Sequence, residues 1–321
     1  MKKMVHMVLT LVIAIAPIIF TLALGYFSGM RKQFDKSASQ LFIEFVMTYA
    51  LPLSLFGGLL SASRKVIIHD LPLFLWLGVG MIFIFILLIA VYCLLFKNLG
   101  LAVLRALSVA CPSVPFMGTS VLAIIFGGTD SIILVAVCGL YLNLVQAPLS
   151  VLLLSLAKIQ KKDTFGAENS AGKMLVNALK KPLVWAPIIG FALNLSGFHL
   201  EAKFLPLFSE VGQTAGGVAL FSIGIMLYSQ KFHLTLPVII NVLLKNIALP
   251  LVIWGAMVFF RENFRFQQMV VITLAIPTAA IPSMLAIQNH LHEDEITSTQ
   301  LASTLLSVVT MSILLVLLQV R

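Results

Sequence analysis

A 321-residue chain that is 60% hydrophobic and only 10% charged carries more apolar surface than a water-soluble fold can bury, which excludes a soluble domain. Its formal charge of +9 is spread between apolar runs, where basic residues read as topology signals and not as a nucleic-acid footprint. Cys93, Cys111 and Cys138 all lie inside those runs without Cys-x-x-Cys spacing, which argues against a disulfide framework or a zinc site.

A membrane helix needs about 20 mostly apolar residues. On that ruler the chain divides into about ten segments, approximately 6–30, 38–62, 71–96, 101–127, 131–157, 182–198, 208–229, 236–260, 266–290 and 296–320. The first follows Lys2 and Lys3, is longer than a signal-peptide core and lacks a small-residue cleavage site, so it reads as a retained helix. Connections such as Gly127-Gly128-Thr129-Asp130 leave room only for helix hairpins, with Asp130 expected to cap segment five. The one sizeable polar connection runs over 158–181, at the centre of the chain. With the N-terminus outside, inside connections hold twelve Lys and Arg and outside ones eight, so an outward N-terminus and a cytoplasmic central loop are expected.

The halves share short words. "APIIFTLALGYFSG" from Ala16 matches "APIIGFALNLSG" from Ala186, an offset of 170, and "ACPS" from Ala110 matches "AIPT" from Ala275, an offset of 165. Together they predict a duplicated five-helix unit: 1–157, then the loop 158–181, then 182–321. An odd number of spans puts one copy upside down relative to the other, as in many secondary transporters.

Segments four and nine both carry internal prolines, Pro112 and Pro115 in one, Pro277 and Pro282 in the other. Proline removes a backbone hydrogen bond, and unpaired backbone groups in hydrocarbon cost several kcal/mol each. Such breaks persist only where protein or a watery cavity meets the freed groups. Two breaks at matching places of an inverted pair are expected to cross, with half-helix N-termini presenting N–H groups to an anion such as a carboxylate. Ser113, Gly118, Thr119, Thr278 and Ser283 lie beside these breaks. Their hydroxyls either contact substrate or re-satisfy freed carbonyls.

Several words in order, "YALPLSLFGGLL", "ACPSVPFMG", "KKPLVWAPIIGFALNLSG", "ALFSIGIML", "LKNIALPLVIW", "AIPTAAIPSMLA" and "STLLSVVTMSILLVLL", span nearly the whole chain. In these the sequence resembles the auxin efflux carrier family, which includes plant PIN-type carriers and bacterial carriers of malonate and related organic acids. The resemblance implies an all-α membrane protein with two inverted five-helix repeats and broken, crossing helices four and nine. It also implies a transport domain of segments three to five and eight to ten, moving like an elevator against a dimerising scaffold of segments one, two, six and seven. Where the family often has Pro-Asn at the first break, this chain has Pro112-Ser113.

Other polar residues lie inside segments. Lys245 is either functional, balancing a substrate carboxylate or pairing with Glu44, or it snorkels to the interface. Asn143 and Gln146, three apart on one helix face, either line the pocket or bond between helices. Gln213, Thr214, Gly216 and Gly217 read as a close-packing face, and His290, His292, Glu293, Asp294 and Glu295 as a solvated turn rather than a metal site.

The expected function is secondary transport of a small mono- or dicarboxylate such as malonate across the cell (inner) membrane, by a homodimer without cofactor or metal. The driving force is the anion's own gradient or a coupled proton or sodium ion. No Walker motif is present, and the acid–base or metal constellation of a membrane enzyme is missing from the sequence. The alternative is a membrane sensor that binds a carboxylate without moving it.

Overall fold

The computed structural model describes residues 2–60, 71–162, 180, 182–196, 204, 206–230 and 232–319. Most of the central connection therefore lies outside the described residues. The described residues are overwhelmingly helical. In chain order they form α1 (Lys2–Met30), α2 (Lys36–Phe45), α3 (Leu51–Leu60), α4 (Leu71–Gly78), α5 (Ile84–Phe96) and α6 (Leu99–Ala110). Then come α7 (Thr119–Phe126), α8 (Gly128–Tyr141), α9 (Ala147–Lys162), α10 (Pro182–Ser196), α11 (Pro206–Gly212) and α12 (Thr214–Gln230). The chain closes with α13 (Leu236–Leu243), α14 (Leu249–Phe259), α15 (Phe264–Ala275), α16 (Ile281–Asn289) and α17 (Glu293–Leu317). Six uninterrupted stretches of the described residues are long and apolar enough to cross a membrane. Outward-facing side chains such as Leu94 and Phe259, each 80% exposed, are apolar, as a lipid-facing wall requires.

Wide π-turns join helix pairs within single runs: Val46–Ala50, Leu142–Gln146 and Leu244–Ala248. Each stands immediately ahead of a proline two residues on: Pro52, Pro148 and Pro250. The proline ring cannot donate to the carbonyl four residues back and collides with it. The residue before each proline bonds five residues back instead, as Leu51 N–H does to Val46 O and Leu249 N–H to Leu244 O. The helix continues through the proline with a local widening instead of a break. Val79–Phe83 is a similar turn, between Gly78 and Ile84.

Helix pairing follows the glycines. α1 lies along α12, where Gly25 and Gly224 meet backbone to backbone. A Cβ on Gly25 would stand 1.9 Å from Phe221 O, and one on Gly224 2.1 Å from Leu22 O. α10 lies along α3 in the same way, Gly190 against the Phe56 backbone, with Gly212 at the end of α11 against Ser54. At the close-packing face expected at Gln213, Thr214, Gly216 and Gly217, Gly216 is buried while an added Cβ on Gly217 meets nothing, and Gly212 and Gly224 make further close approaches. The shared spacing is helical, so the sequence pattern alone did not separate the two faces.

Hairpins at two matching places share their chemistry. α5 ends on Lys97 in the left-handed region, and Asn98 caps α6 by accepting from Leu101 N–H. Arg261 is likewise left-handed, and Asn263 caps α15 by accepting from Arg265 N–H. Asp130 does not cap α8 as expected. Gly127, with φ of +79°, precedes the helix, and Asp130 sits in its first turn with its carboxylate 2.9 Å from Arg265 Nη2.

Gly25→Ala or Gly224→Ala is expected to destabilise the protein by about 1–3 kcal/mol through overpacking. Gly58→Ala, where an added Cβ meets nothing, should leave stability unchanged or raise it slightly. Thermal unfolding of the detergent-purified variants checks this; equal midpoints for all three would contradict the close α1–α12 contact.

Candidate functional site

Both proline-bearing segments stop being helical at the same kind of place. α6 ends at Ala110 and α15 at Ala275, and the backbone at Cys111 and Ile276 is extended. Pro112 and Thr278 then face each other across an isolated antiparallel bridge. Ser113 N–H donates to Pro277 O at 2.8 Å, and Ala279 N–H donates to Cys111 O at 3.0 Å. The two breaks thus cross, and each meets backbone groups that the other has freed. Beyond the crossing, Met117 N–H and Met284 N–H are the amides that first return to carbonyls four back, at Ser113 and Ala280. Ahead of them Val114 N–H donates to Pro112 O at 2.8 Å, and Pro115 and Pro282 carry no N–H, so few amides remain to be met at the two helix N-termini.

The prolines do different work. Pro112 and Pro277 sit in the extended stretches, where no donor is required. Pro282 stands in the first turn of α16, where its missing N–H costs nothing, so it starts a half-helix and does not break one. Pro115 lies in the π-turn Val114–Gly118 that leads into α7; its side chain and that of Thr119 lie outside the described residues. Gly118 lets the crossing close: a Cβ there would touch Ile276 Cδ1 at 3.0 Å and Val114 Cβ at 3.1 Å.

The two hydroxyls beside the breaks are not equivalent. Thr278 Oγ1 donates to Ser108 O at 2.7 Å, and its N–H donates to Ser303 Oγ at 3.1 Å. Ser303 Oγ in turn donates to Asn246 Oδ1 at 2.6 Å, and Asn246 Nδ2 to Ser303 O at 2.8 Å. Thr278 therefore has the carbonyl-satisfying role. The Ser113 side chain, 6% exposed, makes no hydrogen bond of its own among the described residues. Ser283 Oγ reaches Ile296 O only at 3.4 Å, a weak contact.

Gln146 bridges helices: Nε2 donates to Met81 O at 2.9 Å and to Ala110 O, a freed carbonyl at the end of α6, at 3.0 Å. Its Oε1 and the neighbouring Asn143 Oδ1 are buried without partners. Lys245 occupies the corresponding place at the other break, donating from Nζ to Leu274 O near the end of α15 at 3.1 Å. It is wholly buried, so it does not snorkel, and Glu44 lies exposed on α2 rather than beside it. Ser108, Asn246 and Ser303 join this site although no proline marks them. For Ser303 the signal was a polar stripe at helical spacing along α17, Thr299, Gln300, Ser303, Thr304, Ser307 and Thr310; Ser108 on α6 and Asn246 in the π-turn Leu244–Ala248 lie outside it.

One polar flank of the structure carries charge. Arg105, within α6, grips Glu295 through Nε at 2.6 Å and Nη2 at 3.0 Å. Glu293 takes Lys36 at 2.7 Å and His290 at 3.2 Å. The turn expected to be solvated is thus an ion-pair cluster, with Glu293 6% exposed, because α6 and α2 pack onto the start of α17 and bring their cations to it. No group of three metal-binding side chains occurs among the described residues.

The profile of the membrane transport protein family matches residues 10–315. The chain belongs to that family. Its relatives include a protein of Escherichia coli strain K12 bearing the name uncharacterized transporter YfdV, 31% identical over 274 residues, which cover 82% of this chain and 83% of the relative. Proteins of the same name in Escherichia coli O157:H7 and Shigella flexneri match to the same extent. The chain is accordingly an integral membrane protein of a transport family, and its crossed half-helices are the candidate transport site.

Thr278→Val is expected to destabilise the protein by about 1–3 kcal/mol, because Ser108 O and its surroundings lose a buried donor. Thr278→Ser, which keeps the hydroxyl, should lose much less. Unfolding midpoints of the two variants compare them directly; similar losses would make the methyl, and not the hydroxyl, the important part.

Proposed function

We propose that the protein is a secondary carrier for a small organic anion, a mono- or dicarboxylate such as malonate, bound where the two broken helices cross. The observation that carries this reading is the antiparallel Pro112–Thr278 bridge, from which two helix N-termini open. The few amides left at these N-termini and their partial positive charge suit a carboxylate. Ser113 supplies a hydroxyl there that can donate to the anion, and the side-chain oxygens of Asn143 and Gln146, unpaired among the described residues, can accept from a substrate hydroxyl or a protonated carboxyl. Lys245 adds a buried basic group on the neighbouring segment eight, reaching the end of segment nine through Leu274 O.

The same reading takes the chain as two inverted five-helix repeats. Supporting it, the second half repeats the first at an offset of 165 over features of unlike kind: the π-turns at Val79–Phe83 and Leu244–Ala248, the capping Asn98 and Asn263, and the breaks at Pro112 and Pro277. The glycine-mediated pairs also match: a first segment lies along a second segment of the opposite half in both α1–α12 and α10–α3. Those four runs make the scaffold, through which the protein forms a homodimer. The remaining segments make the body that moves elevator-like with the anion. The cluster around Glu293 and Glu295 lies on the flank reached by Arg31, Lys32 and Lys36, the flank assigned to the cytoplasm, which leaves the N-terminus outside an inner membrane.

Counterflow of radiolabelled malonate, succinate, acetate and indole-3-acetate into vesicles holding the purified protein tests this. Saturable counterflow is expected for at least one acid. Ser113→Ala is expected to weaken it several-fold while unfolding close to the wild-type temperature, since among the described residues the Ser113 side chain makes no hydrogen bond and alanine adds no bulk at this buried position. Wild-type flux in that variant would remove the crossing as the site. Saturable binding with no flux would turn the reading to a sensor.

A further inference from the structure

Lys245 is built differently from every other cation whose side chain is held in the described structure. Arg105 has Glu295, Arg265 has Asp130 and Lys36 has Glu293. Lys245 is wholly buried, and its acceptor among the described residues is one backbone carbonyl, Leu274 O at 3.1 Å. An ammonium has three donors and no lone pair, so a single acceptor leaves two N–H groups unmet. A neutral amine fits the same pocket with less left over. A buried charge lacking a counter-ion costs several kcal/mol in a low-dielectric interior. The groups facing it from neighbouring elements do not supply that counter-ion. The titratable groups acting on it are the thiols of Cys111 and Cys138. On α6, Arg105 is engaged; on α15, Arg265 is engaged; on α17, Glu293 and Glu295 are engaged, and Asp294 lies in the same first turn beside them.

Position completes the argument. Lys245 sits in a π-turn and reaches the C-terminal end of the half-helix whose break forms one side of the crossing. At the other break the matching carbonyl end is met by the neutral amide of Gln146. The crossing is thus asymmetric, with one neutral and one ionisable partner. Resting on the carrier reading above, we propose that Lys245 is the proton-coupling group: it takes a proton when a carboxylate enters the crossing and releases it when the carboxylate leaves. The step is balanced as amine plus proton plus carboxylate giving an ammonium–carboxylate pair. The proton comes from water on the side of entry and goes to water on the side of exit. The body then carries no net charge when loaded with a monoanion and none when empty.

The test uses wild-type protein in vesicles with the membrane potential clamped at zero and with a pH-sensitive dye trapped inside. An inward proton gradient of one pH unit should accumulate the acid that supports counterflow about tenfold, since one proton per anion converts one pH unit into a factor of ten. The lumen should acidify by one proton per anion, above protein-free vesicles, and a sodium gradient should drive nothing. Lys245→Gln should abolish the acidification whatever flux it retains. Net uptake without proton movement, or an unchanged ratio in Lys245→Gln, overturns the proposal. If Lys245→Gln does not fold, the wild-type ratio decides. Absence of counterflow for every acid sinks the carrier reading itself, and this inference with it.

Discussion

Between Cys111 and Ser113, and again between Ile276 and Ala279, the backbone leaves the helix at a depth where water cannot hydrogen-bond it. Each freed N–H or C=O there needs a partner within the protein or costs several kcal/mol. The structure answers with a small set of bonds: two between the breaks themselves, one from Thr278 Oγ1, one from Ser303 Oγ, one each from Gln146 and Lys245. Those partners, of which Ser303 Oγ accepts and the other side chains donate, come from four different runs of helix. The breaks therefore dictate which segments surround them, and the surrounding polar residues lie where they do because the breaks require it.

That requirement also explains why the site is rigid on one side and open to chemistry on the other. Thr278 is bound through both its amide and its hydroxyl, and Asn246 and Ser303 lock each other behind it. Ser113 contributes its amide to the bridge and keeps its hydroxyl uncommitted. The neutral bridge of Gln146 is shared between two carbonyls, whereas Lys245 meets one. Two copies of one backbone solution thus carry different side-chain chemistry.

Much of this was legible in the residues. Apolar runs of spanning length gave the helices close to their observed bounds, and paired prolines marked both breaks, because hydropathy and proline sterics act locally. Less was legible where two rules share one residue type. Pro282 reads as a breaker in sequence yet begins a half-helix, since a proline's effect depends on which turn it occupies. Pro52, Pro148 and Pro250 do not break their helices at all, because a π-turn one step earlier absorbs the clash. The acids around Glu293 read as solvated because their partners, Lys36 and Arg105, lie 257 and 190 positions away in sequence. Only packing brings such charges together, and no local pattern records it.

The two ion pairs of that cluster differ in a way that bears on movement. Arg105 and Glu295 are nearly buried, joined by two bonds, and both belong to the segments assigned to the moving body. Removing either partner would strand a charge at a cost of about 3–5 kcal/mol, so this pair holds the body together. Lys36 belongs to the scaffold segment and is 48% exposed, and its bond to Glu293 crosses from scaffold to body. Water competes for this lysine, and Glu293, 6% exposed, has His290 as a further partner, so the pair is more easily parted than the buried one. Gln40 reaches His290 across the same boundary at 3.2 Å, also in an exposed setting. In the proposed elevator movement the buried contacts within the body persist and the more exposed ones at its edge part.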